Sequence, residues 1–404
     1  MPANLATFDQ ALKEDYLPPI REQLNNGNVL LAQLERGTED VVGREAVLSI
    51  HVSRNSGVGS RAERGTLPTA GSQGYEDPRV RVKYHTARID VSVPAMRASR
   101  NDEGAFARLL DREVSGAVKD LKRDVNRQLY GTSNGVIATI EGTGSTTTNI
   151  VFAAGTPQSA IRQLEVGMVI DIGNDATFTN VGTARTITAN SGTALTITPA
   201  LSGAPVDADS IVRSGAGGGG ADQKEFSGLQ TLVDSTGTVH GVAASTVWSS
   251  YENSNGGTRR PFNDSLIEKA QHETNIRSGE SANFLVTSNG AYRSFAAQLK
   301  SQKRFSNTND LRGGFKALSV DSGDGIESLS LVWDRDCPDS TAFGLHLADY
   351  KIHEMSDWEW MDEDGAVLSR VSGVMAYEAT LFKFAELCTS RRNASWKLQD
   401  LLEV

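Results

Sequence analysis

At 404 residues, 38% hydrophobic and 22% charged, the chain has ordinary globular composition and length enough for two or three packed units. Its net charge of −10 argues against a dedicated nucleic-acid binder, whose affinity rests on Lys and Arg neutralising phosphates, though not against a container that encloses nucleic acid. No stretch approaches the ~20 apolar residues of a membrane span, no basic region leads into an apolar core at the start, and Cys337 and Cys388 are too few for a disulfide framework; the expectation is a soluble chain folded in a reducing cytoplasm.

Residues 5–36 read as helix in two pieces. Leu5, Phe8, Leu12 and Tyr16 recur at helical spacing, Pro18-Pro19 break the run, and Leu24, Leu30, Leu31 and Leu34 resume it. Such an amphipathic segment either joins the core or docks on another molecule. Residues 44–54 alternate as a strand, with Ala46, Leu48, Ile50 and Val52 on one face and Ser49, His51 and Ser53 on the other. Residues 80–93 alternate too, but Val80, Val82 and Tyr84 are even while Ile89, Val91 and Val93 are odd, which predicts a bulge near Ala87-Arg88. Between these strands lies a glycine-rich polar tip carrying Arg61, Glu63 and Arg64. Together they read as a projecting two-stranded arm, marginal in water by itself and calling for support from a neighbouring molecule. His51 and His85, one on each strand, are placed to face each other.

Residues 101–130 carry a helical stripe of Phe106, Leu109, Leu110, Val114, Ala117, Val118, Leu121, Val125 and Leu129. Asn101 is the expected N-cap, and Gly131 follows the end. Such a helix is about 45 Å long, a length suited to a structural spine. Its charged side, from Arg108 to Arg127, reads as a solvated face with i,i+3 pairs Asp120–Arg123 and Asp124–Arg127.

Residues 136–213 turn to Thr, Gly, Ala and Val. Short strands are predicted over 136–140, 149–152, 168–172, 184–188, 194–198 and 210–213, with a hairpin through Asn190-Ser191-Gly192, giving a small β-barrel or sandwich. The glycine run 215–220 is a flexible exit and not a phosphate loop, since no Gly-Lys-Ser/Thr follows. Residues 226–360 are mixed α/β. Pro261 is the expected first position of a helix through Leu266, Ile267, Ala270 and Ile276; Phe284-Leu285-Val286 is a buried strand; and Ser288 caps a helix bearing Tyr292, Phe295, Ala296 and Leu299. Strands are expected over 328–333 and 343–347, and a tight turn at 362–365. Periodicity leaves 374–387 open between strand and helix.

No constellation for chemistry emerges. The six histidines have no metal-ligand spacing, Asp334, Asp336, Asp362 and Asp364 lack the calcium-loop pattern, and no nucleophile elbow or catalytic cysteine context is present. No catalytic, cofactor or metal residue is assigned. Trp358 and Trp360 share one face of a strand as packing or interface anchors.

The order of these segments, with the strings 283–288, 333–338, 360–365, 377–379 and 391–394, resembles the major capsid proteins of tailed bacteriophages, the Hong Kong 97-type coat fold, an α+β architecture. The resemblance implies an N-terminal arm (1–43), an extended loop (44–93), a peripheral domain with spine helix (94–135), an inserted β domain (136–215), an axial domain with peripheral strands (216–355) and a C-terminal peripheral part (356–404). It further implies hexamers and pentamers of this chain closing an icosahedral shell in the virion around double-stranded DNA, assembled in the bacterial cytoplasm with a separate scaffold protein and a portal, and open to decoration proteins. Loops and arms would clasp neighbours, with Arg61, Glu63, Arg64 and Tyr75 on the loop and Leu5, Phe8 and Leu12 on the arm as interface candidates. Some relatives cross-link through a lysine of this loop; here Lys83, its one lysine, lies on the strand and not the tip, so self-cross-linking is not expected. An encapsulin-like compartment shell is the alternative, and a β-rich binding protein a more distant one.

Overall fold

The computed structural model describes residues 29–38, 41, 43, 45–94, 103–174, 180–218, 223–301, 308–310, 316–320, 328–362 and 367–404. Leu5, Phe8, Leu12, the proline break, the Asn101 cap and most of the turn at 362–365 lie outside them. The long helix spans Glu103–Leu129, about 40 Å at 1.5 Å per residue. Leu121, Val125 and Leu129 bury its apolar stripe, and Leu129 and Tyr130 enter a central core with Leu30, Leu31, Leu34, Phe226 and Leu229. The second piece of the N-terminal helix thus belongs to this chain's own core. The long helix finishes in tightened turns, Tyr130 N–H to Arg127 O and Gly131 N–H to Gln128 O, both 3.0 Å. The chain returns over this end at Gly228, where a Cβ would stand 2.4 Å from the Gln128 carbonyl oxygen.

A six-stranded sheet is built around Ala376–Thr389, so the ambiguous C-terminal run is a strand of 14 residues. Tyr350–Glu354, Glu359–Trp360 and Ser369–Arg370 line one side of it, and Lys83–Ser92 the other; Glu35–Gly37 adds a parallel edge against Tyr350–Glu354. Lys83–Ser92 pairs from Lys83↔Ala385 to Ser92↔Ala376 without a shift, which corrects the expected bulge at Ala87-Arg88. The parity change is real but falls at Val82, where the chain leaves strand Arg79–Arg81 and enters the sheet. Val80 and Val82 are buried before the break, His85 and Ile89 after it, and Tyr84 faces out.

A closed barrel forms from Asn180–Asn190, Ala194–Thr198, Asn149–Phe152, Val136–Glu141, Asp209–Arg213 and Val169–Asn174, in that order around the wall. The expected hairpin is present, Thr186↔Thr198 to Asn190↔Leu195. Its core draws on the insert alone, among others Ile140, Ile150, Ile170, Ile172, Ile187, Leu195 and Ile211. A short helix, Gln158–Arg162, fell below what periodicity can signal.

A seven-stranded sheet runs Tyr251–Asn253, Trp396–Leu398, Ala342–Leu345, Phe284–Thr287, Leu329–Trp333, Lys316–Val320, Thr308–Asp310. Helices Asp264–Ser278 and Asn289–Ser301 cover one face through Ile267, Ala270, Ala291 and Phe295. The first helix is capped by Asn263, whose side chain accepts the Leu266 N–H at 3.1 Å; Pro261 lies outside the helix, a correction that follows from Asn being the stronger cap. Ser288 precedes the second helix as expected, yet its hydroxyl donates to Glu403 near the C-terminus.

Candidate assembly surfaces

The hairpin is a two-part ladder. Glu45–Val47 pairs with Arg79–Arg81, and Ile50–Ser53 with Gly74–Glu76. Its base is rooted in the body: Ala46 and Val80 pack with Cys388, Ile50 with Val242 and Trp248, and Arg79 N–H donates to His240 O at 2.9 Å. Arg79 and Arg81 flank Glu45 at 3.4 and 3.5 Å, exposed pairs worth little energy. Beyond the base, residues 54–73 form no helix or strand and are largely exposed, with Val58 and Leu67 at 84% and 83%.

The structure brings Arg61, Glu63 and Arg64 together on one exposed turn, closed by Gly65 N–H to Ala62 O at 2.9 Å. Arg61 spends donors locally, on Thr66 O and Ser60 O, both at 3.0 Å. Tyr75 stands apart on the shaft, 64% exposed, its ring 5.3 Å from that of His51. His51 therefore does not meet His85. The histidine of the second strand is buried against Phe226 at 4.3 Å, because its strand has left the hairpin for the six-stranded sheet. Burial pushes His85 down to about 4, against the nearby Asp124 charge.

A second surface was missed in the sequence. On the outer face of the six-stranded sheet Tyr84 meets Phe384 edge-on at 5.0 Å, Phe384 stacks on Phe382 at 5.1 Å, and Met355 flanks them, its N–H donating to Phe384 O. Tyr84 is 67% exposed. Between the two phenylalanines Lys383 points inward, ion-paired to Glu354 and lying 5.1 Å from the Trp358 ring. This sheet turns aromatics outward and a lysine inward, the reverse of the usual pattern. The signal was the alternation Phe382-Lys383-Phe384 itself, unreadable while the segment could be helix or strand. Trp358 packs on the central core, as an anchor should.

The charged side of the long helix is not a solvated face at its C-terminal end. Arg127 is buried between Asp124 at 2.9 Å and Glu225 at 2.5 Å, and Arg213 of the barrel reaches Asp124 at 3.1 Å. Burial would push Asp124 up, but Arg127 and Arg213 outweigh it and hold the carboxyl at about 2. Arg123 pairs with Glu165 on the barrel at 2.7 Å and not with Asp120. On the far side Ser159 N–H donates to Asp339 at 3.1 Å, and Arg162 approaches the same carboxylate at 3.8 Å. The barrel is thus tied both to the long helix and to the seven-stranded sheet. Lys83, half-buried, donates to Gln223 O at 2.5 Å.

Among the described residues no helix is long and apolar enough to cross a membrane, and no cluster of three or more His, Cys, Asp or Glu is placed to hold a metal ion.

No protein-family model matches the chain, and no curated protein sequence matches it. Solved structures do. A chain of the cyanophage A-1(L) capsid asymmetric unit superposes at a TM-score of 0.61 over 99% of both chains with 13% identity. Chains of the capsid of a native GTA particle and of the capsid of Myoviridae phage XM1 each superpose at 0.50, with 11% and 8% identity, over 97% and 96% of this chain and 96% of theirs. The chain therefore has the fold of these capsid proteins along almost its whole length.

Proposed function

We propose that this chain is the major capsid protein of a tailed bacteriophage, a structural subunit that tiles into a closed shell. The observation that carries the proposal is the end-to-end likeness to a chain of a cyanophage capsid, a superposition at a TM-score of 0.61 that covers 99% of each chain. On this reading Glu45–Arg81 form the extended loop, Glu103–Leu129 the spine helix, the six-stranded sheet, which Lys83–Ser92 joins, the peripheral domain, the seven-stranded sheet with its two helices the axial domain, and the barrel an insertion. Hexamers and pentamers would enclose double-stranded DNA without reading its sequence. A separate scaffold protein, a portal and decoration proteins are the expected partners.

The hairpin supports this reading physically. Its rooted base fixes a direction, and its exposed tip finds few partners in its own chain, the arrangement of a limb that is completed by a neighbour. Assembly of the purified chain, alone or with a scaffold protein, is read by electron microscopy. Closed particles are expected, and replacing Arg61 and Arg64 by Ala lowers particle yield severalfold while circular dichroism of the monomer stays the same. Unassociated monomers under every condition would overturn the proposal; normal particle yield from the double variant would remove the tip arginines from it.

A further inference from the structure

Two carboxylates are buried side by side where the long helix ends. Asp334 and Asp336 flank Arg335 just after strand Leu329–Trp333, and they are 1% and 7% exposed. Asp334 Oδ1 accepts the N–H of Asp336 at 2.9 Å, and Oδ2 accepts the N–H of Leu30 at 3.4 Å. Asn126, wholly buried on the long helix, spans the pair: Nδ2 lies 2.8 Å from Asp336 Oδ2 and 3.4 and 3.5 Å from the two oxygens of Asp334. Arg335 Nε approaches the other oxygen of Asp336, at 3.9 Å, and its side chain is 38% exposed. Two buried carboxylates this close are costly unless their charge is neutralised.

One further oxygen beside the pair, Asn126 Oδ1, is buried without a hydrogen-bond partner, and the buried Tyr130 hydroxyl faces the Asp334 carboxylate. Tyr130 lies against Asp334. A half-turn of the Asn126 amide exchanges Nδ2 for Oδ1 and turns an amide oxygen toward both carboxylates. Carboxylate, amide and hydroxyl oxygens are the ligands that hard divalent cations take. Asp336 also borders the cleft of about 1040 Å³ between the long helix and the barrel, a route in from solvent.

We infer that Asp334, Asp336, Asn126 and Tyr130 form a site for a hard divalent cation, with calcium the best fit to an irregular set of oxygen ligands. The ion ties together three parts of the chain: the N-terminal segment at Leu30, the long helix at Asn126 and the seven-stranded sheet at Asp334.

The test uses the full chain, stripped with chelator and titrated near neutral pH with terbium and then calcium. Tyrosine-sensitised terbium emission should saturate at one ion per chain, be displaced by calcium, and fall when Tyr130 is replaced by Phe. Calcium should raise the melting temperature, with magnesium weaker. Asp336→Asn should weaken binding by at least the roughly tenfold to hundredfold that loss of a mere supporting partner costs a metal site. Should that variant fail to fold, the native chain still decides: no saturable binding by about 1 mM calcium, the weak end of natural calcium sites, overturns the inference. Binding that Asp336→Asn leaves unchanged also overturns it. So does a melting temperature that calcium leaves unchanged.

Discussion

Glu386 is a buried carboxyl on the central strand, accepting the N–H of Ser227 at 2.7 Å and of Leu387 at 3.1 Å. Burial pushes it up to about 8, against the pull of the Lys83 charge. The folded chain therefore keeps a proton that the unfolded chain releases above about 4.5. The stability this contributes is full below that pH and is lost as pH rises through about 8. His85 and His240, both pushed down to about 4 by burial, act in the opposite sense: their contribution is present above about 6.5 and lost as pH falls through 4. Replacing Glu386 by Gln should flatten the alkaline limb of the stability curve by about 1.4 kcal/mol or more, the worth of a tenfold change in proton affinity. Chemical denaturation from pH 5 to 9 measures it, and curves that stay parallel would refute the assignment. None of these groups was legible in the sequence. Arg127, Lys383 and Glu386 look like surface charges there, because each is buried by chain far away in sequence: Glu225, Glu354 and Ser227 respectively.

Elements were more legible than residues wherever one periodicity ran uninterrupted. The long helix, the six barrel strands and strand Phe284–Thr287 follow their patterns to within a few residues. The parity change after Val82 was visible too, but its position was not, since Tyr84 fits either face until the partner strand is known. Ala376–Thr389 was undecided for the same reason: its alternation is aromatic outside and mixed inside. The barrel is the element that stands most by itself. Its core comes wholly from the insert, and its wall closes without an edge strand. Asp171 seals the exit by accepting the N–H of Gly215 at 2.7 Å and the Ser214 hydroxyl at 3.0 Å. Residues 133–217 expressed alone should therefore fold, giving a β-type spectrum and a cooperative melt, with Asp171→Ala costing about 1–3 kcal/mol through the donors it strands. An unfolded spectrum from this fragment would show instead that the ties to Asp124 and Asp339 are needed for it to fold.

At the scale of the whole molecule, the proposed function would rest on surfaces, and they are what sequence reading served least. The tip residues Arg61, Glu63 and Arg64 are interface candidates that stand out in the sequence as charges on a glycine-rich tip, whereas the Tyr84–Phe384–Phe382–Met355 face needed the sheet to assemble it. Single exposed apolar residues are ordinary, but a contiguous row beside a rooted arm is a contact surface in waiting. If the chain tiles, such a face is covered by an adjacent copy, as obligate interfaces above about 2,000 Å² require. Replacing Tyr84 and Phe384 by Ser removes apolar area that the monomer leaves partly in water, so its fold should lose little. The assembled state loses far more, because there the same area is withdrawn from solvent at about 25 cal/mol per Å² and the loss recurs in every subunit. The net charge of −10 sets a second handle, since like-charged copies repel and salt screens them. Light scattering against salt concentration should then show native chain assembling more readily as salt rises, and the double variant requiring markedly more protein at every salt. Equal assembly thresholds for the two would mean that this face stays in solvent and that the arms alone hold the lattice.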